Sequence, residues 1–255
     1  MLGLMDSQII HYIDEVKPAN WGQSKGGKLS AKSLSKIVNF PSKDDRLAEF
    51  VGIMLGDGNV FSKDYQNTTV NCIKIAGNPK TGTSYILDFV KPLLESLFGT
   101  KVSVYVNKKG NEIFLTLHGK NIIKFVERIG LPRGNKVKNM PTIPEWVFED
   151  ERHLKVCVRG LVDTDGSIYA LKPHYPNLLQ ICFKNKNPRL LADFRIALQK
   201  LGFHPSKISW NKVYLTRQAE IDRYVREIGF NNPNHLKRYL EVRARFCRDS
   251  GQVFI

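Results

Sequence analysis

Two glycine-spaced apolar runs each end in Asp-Gly: Phe50-Val51-Gly52-Ile53-Met54-Leu55-Gly56-Asp57-Gly58 and Val158-Arg159-Gly160-Leu161-Val162-Asp163-Thr164-Asp165-Gly166. In the first run Gly52 and Gly56 lie four apart, as Gly160 and Thr164 do in the second. That spacing puts small residues on one helix face, where two helix backbones can approach closely. Packed about a pseudo-twofold axis, the helices converge at their C-terminal ends and bring Asp57 and Asp165 together. Gly58 and Gly166 stand where a capping glycine turns the chain out of a helix. Two carboxylates at the negative ends of two helix dipoles repel each other. A hard divalent cation resolves the conflict, and Mg²⁺ takes carboxylate and phosphate oxygens together while retaining water. In paired-metal sites such ions stabilise the attacking and leaving oxygens of an in-line displacement. Hydrolysis of a phosphodiester is the chemistry this pair suits. One apolar helix ended by Asp-Gly is an ordinary stop signal, so the argument rests on two copies in matching context.

The elements around the runs repeat as well. Tyr85-Ile86-Leu87-Asp88-Phe89 through Leu97-Phe98-Gly99 parallels Leu191-Ala192-Asp193-Phe194 through Leu201-Gly202-Phe203, and Phe125–Gly130 parallels Tyr224–Gly229. The pattern predicts an α+β protein of two pseudo-symmetric αββαββα repeats. The first covers 44–130; the second covers 151–255 and includes a C-terminal helix. Residues 131–150, punctuated by Pro132, Gly134, Pro141 and Pro144, read as a linker. It should wrap rather than dangle, because Ile143, Trp146, Val147 and Phe148 favour burial. Residues 1–43 lie outside the repeat and carry Gln23-Ser24-Lys25-Gly26-Gly27-Lys28. They read equally as a basic leader or as a small DNA-contacting appendage.

Several strands alternate as a sheet with one wet face should. Over 101–107, Val102, Val104 and Val106 oppose Lys101, Ser103, Tyr105 and Asn107. Over 179–184, Leu179, Ile181 and Phe183 oppose Gln180, Cys182 and Lys184. Such polar faces carry groups that can read base edges in a major groove, although an ordinary solvated face has the same pattern. Lys207, Ser209 and Asn211 extend the second face. Lys and Arg number 39 against 24 Asp and Glu, spread along the chain, which points to a polyanionic partner. Cys72, Cys157, Cys182 and Cys247 are far apart, with neither zinc spacing nor a disulfide framework. The sequence has no apolar run of membrane-spanning length and no secretory signal, so the expectation is an intracellular monomer without a membrane partner.

The two runs resemble the duplicated LAGLIDADG motif, and the likeness continues over residues 44–247. The second copy is close. The first departs at Leu55, where the motif has an earlier Asp at a position usually structural. The resemblance implies a site-specific homing endonuclease acting on double-stranded DNA. Two saddle-shaped antiparallel sheets would straddle the major groove, and two overlapping Mg²⁺-dependent sites would leave short 3′ overhangs. Mn²⁺ or Ca²⁺ would substitute in binding. It further implies Asp57 and Asp165 as catalytic metal ligands, assisted by the backbone at Gly56 and Thr164. Basic residues after the shorter helices, matched by Lys136 and Lys237, would support the developing charge. Lys184 and Ala76 occupy the place where relatives often carry Gln. The rival reading is a cleavage-deficient protein of the same fold, an intron RNA maturase or a DNA-binding regulator, and a basic saddle also admits structured intron RNA. Met1 and the ending Gln252–Ile255 lack the residues of protein splicing. The expected setting is therefore a free-standing or intron-encoded protein, nucleoid-associated in the cytoplasm or housed in an organelle.

Overall fold

Asp44 starts the first of the described helices by accepting the Leu47 N–H at 2.9 Å, an N-cap that satisfies one orphan donor. The helix that follows, α1 (Asp45–Gly56), is apolar on nearly every side, so it can only be a central helix. The computed structural model describes residues 40–66, 68–107, 111–172 and 175–250, all within one unit spanning 38–255. Residues 1–39, read from the sequence as a leader or a DNA-contacting appendage, lie outside the described residues.

From α1 the chain enters β1 (Gly58–Tyr65) and β2 (Thr68–Gly77), then a π-wound turn (Tyr85–Val90) that runs into α2 (Lys91–Phe98). It continues through β3 (Ser103–Asn107), β4 (Glu112–His118) and α3 (Lys120–Arg128). Two single-turn helices, α4 (Lys136–Asn139) and α5 (Glu145–Phe148), lead to the second central helix, α6 (Glu151–Asp165). The second repeat follows as β5 (Gly166–Lys172), β6 (Tyr175–Lys184), α7 (Pro188–Lys200), β7 (Lys212–Leu215) and α8 (Gln218–Glu227), and α9 (Pro233–Ser250) closes the described chain. Both sheets are open and antiparallel, ordered β1-β2-β4-β3 and β5-β6-β7. The expected α+β class and duplicated order hold.

The second sheet is a strand short of the pattern. Residues 206–209 form no ladder with β7: Ser206 N–H donates to the Tyr214 carbonyl (2.9 Å), the Ser206 hydroxyl accepts the Tyr214 N–H (3.0 Å), and Ser209–Lys212 is an isolated bridge. Pro205 offers no N–H to a ladder, and the tight turn at Trp210-Asn211 leaves little length to pair. The sheet cores behave as the alternation predicts for Leu179, Ile181 and Phe183. Val104 and Val106 depart from it. They pair with the core residues Leu115 and Ile113 but remain exposed, because β3 is the sheet edge.

The central helices pack as the small residues require. A Cβ on Gly52 would overlap the Cys157 carbonyl, and one on Gly160 would meet the Glu49 carbonyl oxygen at 2.6 Å. At the helix ends Gly56 is pressed against the Thr164 side chain. Gly58 and Gly166 serve a different purpose from the left-handed cap expected. Gly166 is extended (φ −95°), and a Cβ there would strike the Val162 carbonyl oxygen at 2.5 Å; Gly58 meets Met54 in the same way. Glycine is needed there for close approach to the last helical turn, not for positive φ.

A buried ion pair fastens the helices further back. Arg159 holds both carboxylate oxygens of Glu49, at 2.8 and 2.6 Å, and donates to the Ile228 carbonyl at 3.2 Å. Burial pushes the Glu49 carboxyl up against the pull of Arg159. The linker is stapled down, as its apolar residues predict. Ile143, Trp146 and Val147 are buried, the Trp146 indole donates to the Ile129 carbonyl at 3.2 Å, and Ile143 N–H donates to Asp193 at 2.9 Å. Cys72, Cys157 and Cys182 are free thiols in the interior.

Candidate metal-dependent nuclease site

Convergence of α1 and α6 places Asp57 and Asp165 close enough for their charges to interact. Asp57 is the C-cap residue of α1, with helical backbone angles, and Asp165 is the last residue of α6. Both are half-buried. Burial and the Asp165 charge push the Asp57 carboxyl up to about 6, while Lys136 pulls it down. Asp165 is also raised by burial, opposed by Lys136 and by a hydrogen bond from Asn185 Nδ2 at 2.7 Å.

Lys136 is the one sequence-predicted cation that reaches both acids. Asn135 caps α4 by accepting the Val137 N–H at 2.8 Å, which fixes Lys136 in the first helical turn and aims it back at α1. Its ammonium donates to the carbonyls of Met54 (3.3 Å), Leu55 (3.1 Å) and Gly56. Those carbonyls carry the negative end of the helix dipole. Burial lowers the Lys136 ammonium, against the pull of Asp165 and Asp57.

The second repeat does not reproduce this lysine. Lys237 stands on α9 with its side chain 74% exposed, 4.0 Å from Glu241, and the cation acting on Asp165 is Lys136. The reason is local: Asn232 begins α9 by accepting the Asn234 N–H at 3.1 Å, so Lys237 falls a turn too late. Asn232 takes over only the capping of the helix end. Its amide donates to the Asp163 carbonyl at 3.0 Å, the α6 position that matches Leu55 in α1. The Asp163 side chain is structural, accepting the Asn231 N–H at 2.8 Å and lying 3.5 Å from His235 Nδ1.

The remaining site residues divide between cleft and sheet. Lys136, Asp165, Lys184, Asn185, Lys186 and Gly56 help line a cleft of about 280 Å³. The Gly56 carbonyl, expected to assist a metal, is held by Lys136; the Thr164 hydroxyl donates back to the Gly160 carbonyl at 2.8 Å. Among the described residues, no group of three or more His, Cys, Asp or Glu is arranged to hold a metal ion. The donor set is nevertheless suited to a hard divalent ion. Two half-buried carboxylates share one ammonium and would leave most of an ion's positions to water or phosphate oxygens.

On the first sheet Ser103, Tyr105 and Asn107 share a face with Lys63, Lys74 and Phe114, and Lys101 is exposed just before β3. Lys74 sits 3.4 Å above the Phe114 ring, which Tyr105 also stacks against. On the second sheet Lys184, Lys207, Ser209 and Asn211 are exposed, but Gln180 is only 9% exposed. Tyr169 hydrogen-bonds Gln180 and Cys182, so these two alternating polar positions lie under a tyrosine instead of facing solvent. Asn185 was missed from the sequence because it follows the strand and its partner comes from another element. Position 77, its counterpart 108 residues earlier, is Gly.

Comparison with known proteins agrees with this architecture. Residues 155–229 match the family model of the LAGLIDADG-like domain. The solved structure of mesophilic variants of the homing endonuclease I-DmoI is similar with a TM-score of 0.51 at 17% identity, covering 72% of this chain and 95% of that one. The meganuclease I-SmaMI, bound to uncleaveable DNA, gives 0.50 at 13% identity, over 82% of this chain and 93% of that one. Among curated proteins, the tRNA-splicing ligase RtcB of Methanopyrus kandleri is 24% identical over 98% of this chain but 26% of its own length. The replication factor C small subunit of Methanocaldococcus jannaschii is 24% identical over 92% of this chain and 12% of its own. The chain thus spans about a quarter or less of these curated relatives.

Proposed function

We propose that this chain, a LAGLIDADG protein by its matched second repeat and by the fold it shares with LAGLIDADG homing endonucleases, is a divalent-metal-dependent DNA endonuclease that cuts both strands of an asymmetric duplex. The observation that carries the reading is the meeting of Asp57, Asp165 and Lys136 at the converging ends of α1 and α6. The curated relatives support a self-contained activity. Proteins named for tRNA splicing, replication, ATP synthesis and reverse gyration share this segment over 12–28% of their lengths, which fits a module with an activity of its own.

In this reading Asp57 and Asp165 would hold Mg²⁺, which would supply charge neutralisation at the scissile phosphate and a more acidic water. Lys136 keeps a positive charge beside both carboxylates and faces the charge that develops on the phosphate. Asn185 fixes the Asp165 carboxylate by one hydrogen bond. The basic and aromatic face of the first sheet and the lysines of the second contact phosphates and base edges. One experiment separates this reading from that of a cleavage-deficient binder. The protein is incubated with Mg²⁺ and a randomised duplex library, and new ends are sequenced. Staggered ends at one consensus support the nuclease; enrichment of bound duplexes without cut ends supports the binder.

A further inference from the structure

We infer that the turn at Trp210-Asn211 is a DNA sensor, in which Trp210 packs against the duplex and the contact is relayed to Asp165 through Asn211 and Asn185. The inference rests on the DNA-cleavage reading above and assigns one part of its regulation.

The turn is made at a conformational cost. Ser209 and Lys212 exchange both backbone hydrogen bonds, at 3.0 and 2.9 Å, around two residues with positive φ, Trp210 at 49° and Asn211 at 58°. Two-residue turns of this kind favour Asn, Asp and Gly, whose side chains tolerate left-handed backbone. Asn211 fits. Trp210 does not, and burial gives it nothing in return, because it is 90% exposed. A large flat side chain held out on a strained turn is suited to a surface that arrives from outside. The surroundings select the partner. Segments 184–189 and 206–215 contain Lys184, Lys186, Arg189, Lys207 and Lys212 and no Asp or Glu, so the visitor is a polyanion with flat faces. A nucleic-acid duplex has both, and indole stacking on a base or sugar is insensitive to sequence.

The same turn is wired to the acid. Lys212 pairs with Lys184 at the end of the β6–β7 ladder, and the next residue, Asn185, donates its N–H to the Asn211 carbonyl at 3.1 Å. Asn185 Nδ2 then donates to Asp165 at 2.7 Å, while its Oδ1 accepts the Asn187 N–H at 2.8 Å. A displaced turn therefore moves the carbonyl that orients Asn185, and with it the hydrogen bond on Asp165. The first repeat has Gly77 in that place and can form no such relay.

The test uses Trp210→Asn, which suits the turn and so keeps it folded, and Asn185→Ala. Emission is followed in a Trp21→Phe background, because Trp146 is buried. A duplex selected from the library is added, first with metal chelated and then with Mg²⁺ at saturating protein. We expect duplex to quench the Trp210 emission and Trp210→Asn to weaken binding about 5- to 100-fold. At saturation, Trp210→Asn and Asn185→Ala should shift the ratio of the two single-turnover strand rates in the same direction. Binding with no quenching and unchanged affinity in Trp210→Asn would overturn the contact. Weaker binding with an unchanged strand ratio would overturn the relay. Absence of any duplex binding by the wild type would remove the nuclease reading and this inference together.

Discussion

The two central helices end on equivalent aspartates, yet each end is neutralised differently. At the α1 end a lysine from the linker caps three carbonyls, and among the described residues Asp57 accepts no side-chain hydrogen bond that lowers it. At the α6 end the carbonyl cap is the neutral amide of Asn232, and Asp165 is steadied by Asn185. Leu55 in the core of the first repeat is matched by Asp163, which needs Asn231 and His235 around it. One ammonium therefore serves two acids. A duplicated site can thus keep its paired carboxylates while the groups around them diverge, and under the proposed nuclease function the two strand cuts are expected at unequal rates.

That comparison can be broken at several depths. The largest stability effect should come from the Glu49–Arg159 clamp, whose counterparts in the other repeat, Cys157 and Val51, are apolar. Glu49→Ala leaves a half-buried guanidinium with only the Ile228 carbonyl and should lower unfolding free energy by about 2–4 kcal/mol, read from denaturant melts. Lys136→Met should reduce cleavage of both strands by roughly 10²- to 10³-fold while duplex binding persists, since one cation serves both acids. Loss of only one cut would show that the ammonium is not shared.

Asp57 gives an effect with a defined sign. Its folded pKa of about 6 lies above the ordinary carboxylate value of 3.8, so the metal-free folded state holds the proton more tightly than the unfolded chain. Stability is lost as pH rises from about 4 through about 6. Asp57→Asn should therefore stabilise the metal-free protein at pH 7.5 by up to about 3 kcal/mol, with the gain gone near pH 4. At subsaturating Mg²⁺, cleavage by the wild type should fall as pH drops below about 6, because a proton on Asp57 competes with the ion. Equal melting of mutant and wild type at pH 7.5 would show that the carboxyl is not strained. The smallest effect is expected at the exposed Lys237. Lys237→Ala should change the strand rates less than about threefold, in contrast to Lys136.

The sequence carried the parts of this molecule that depend on short spacing. Small residues four apart announced the helix contact at Gly52 and Gly160, and the repeated Asp-Gly located both acids. What it concealed depends on where separate elements meet. Lys136 and Lys237 looked alike as lysines following a helix, but the caps at Asn135 and Asn232 set their phases differently. Gln180 looked wet by alternation, and a tyrosine from the neighbouring strand covers it. Asn185 stood at no motif position, because its importance comes from the fold bringing Asp165 and the Asn211 carbonyl to its two ends.

Strand-resolved cleavage of the selected duplex by Asp57→Asn and Asp165→Asn in Mg²⁺ tests the central claim most directly. Each variant is expected to bind the duplex but to make no double-strand breaks, with nicking at most. Full double-strand cutting by either variant would contradict it.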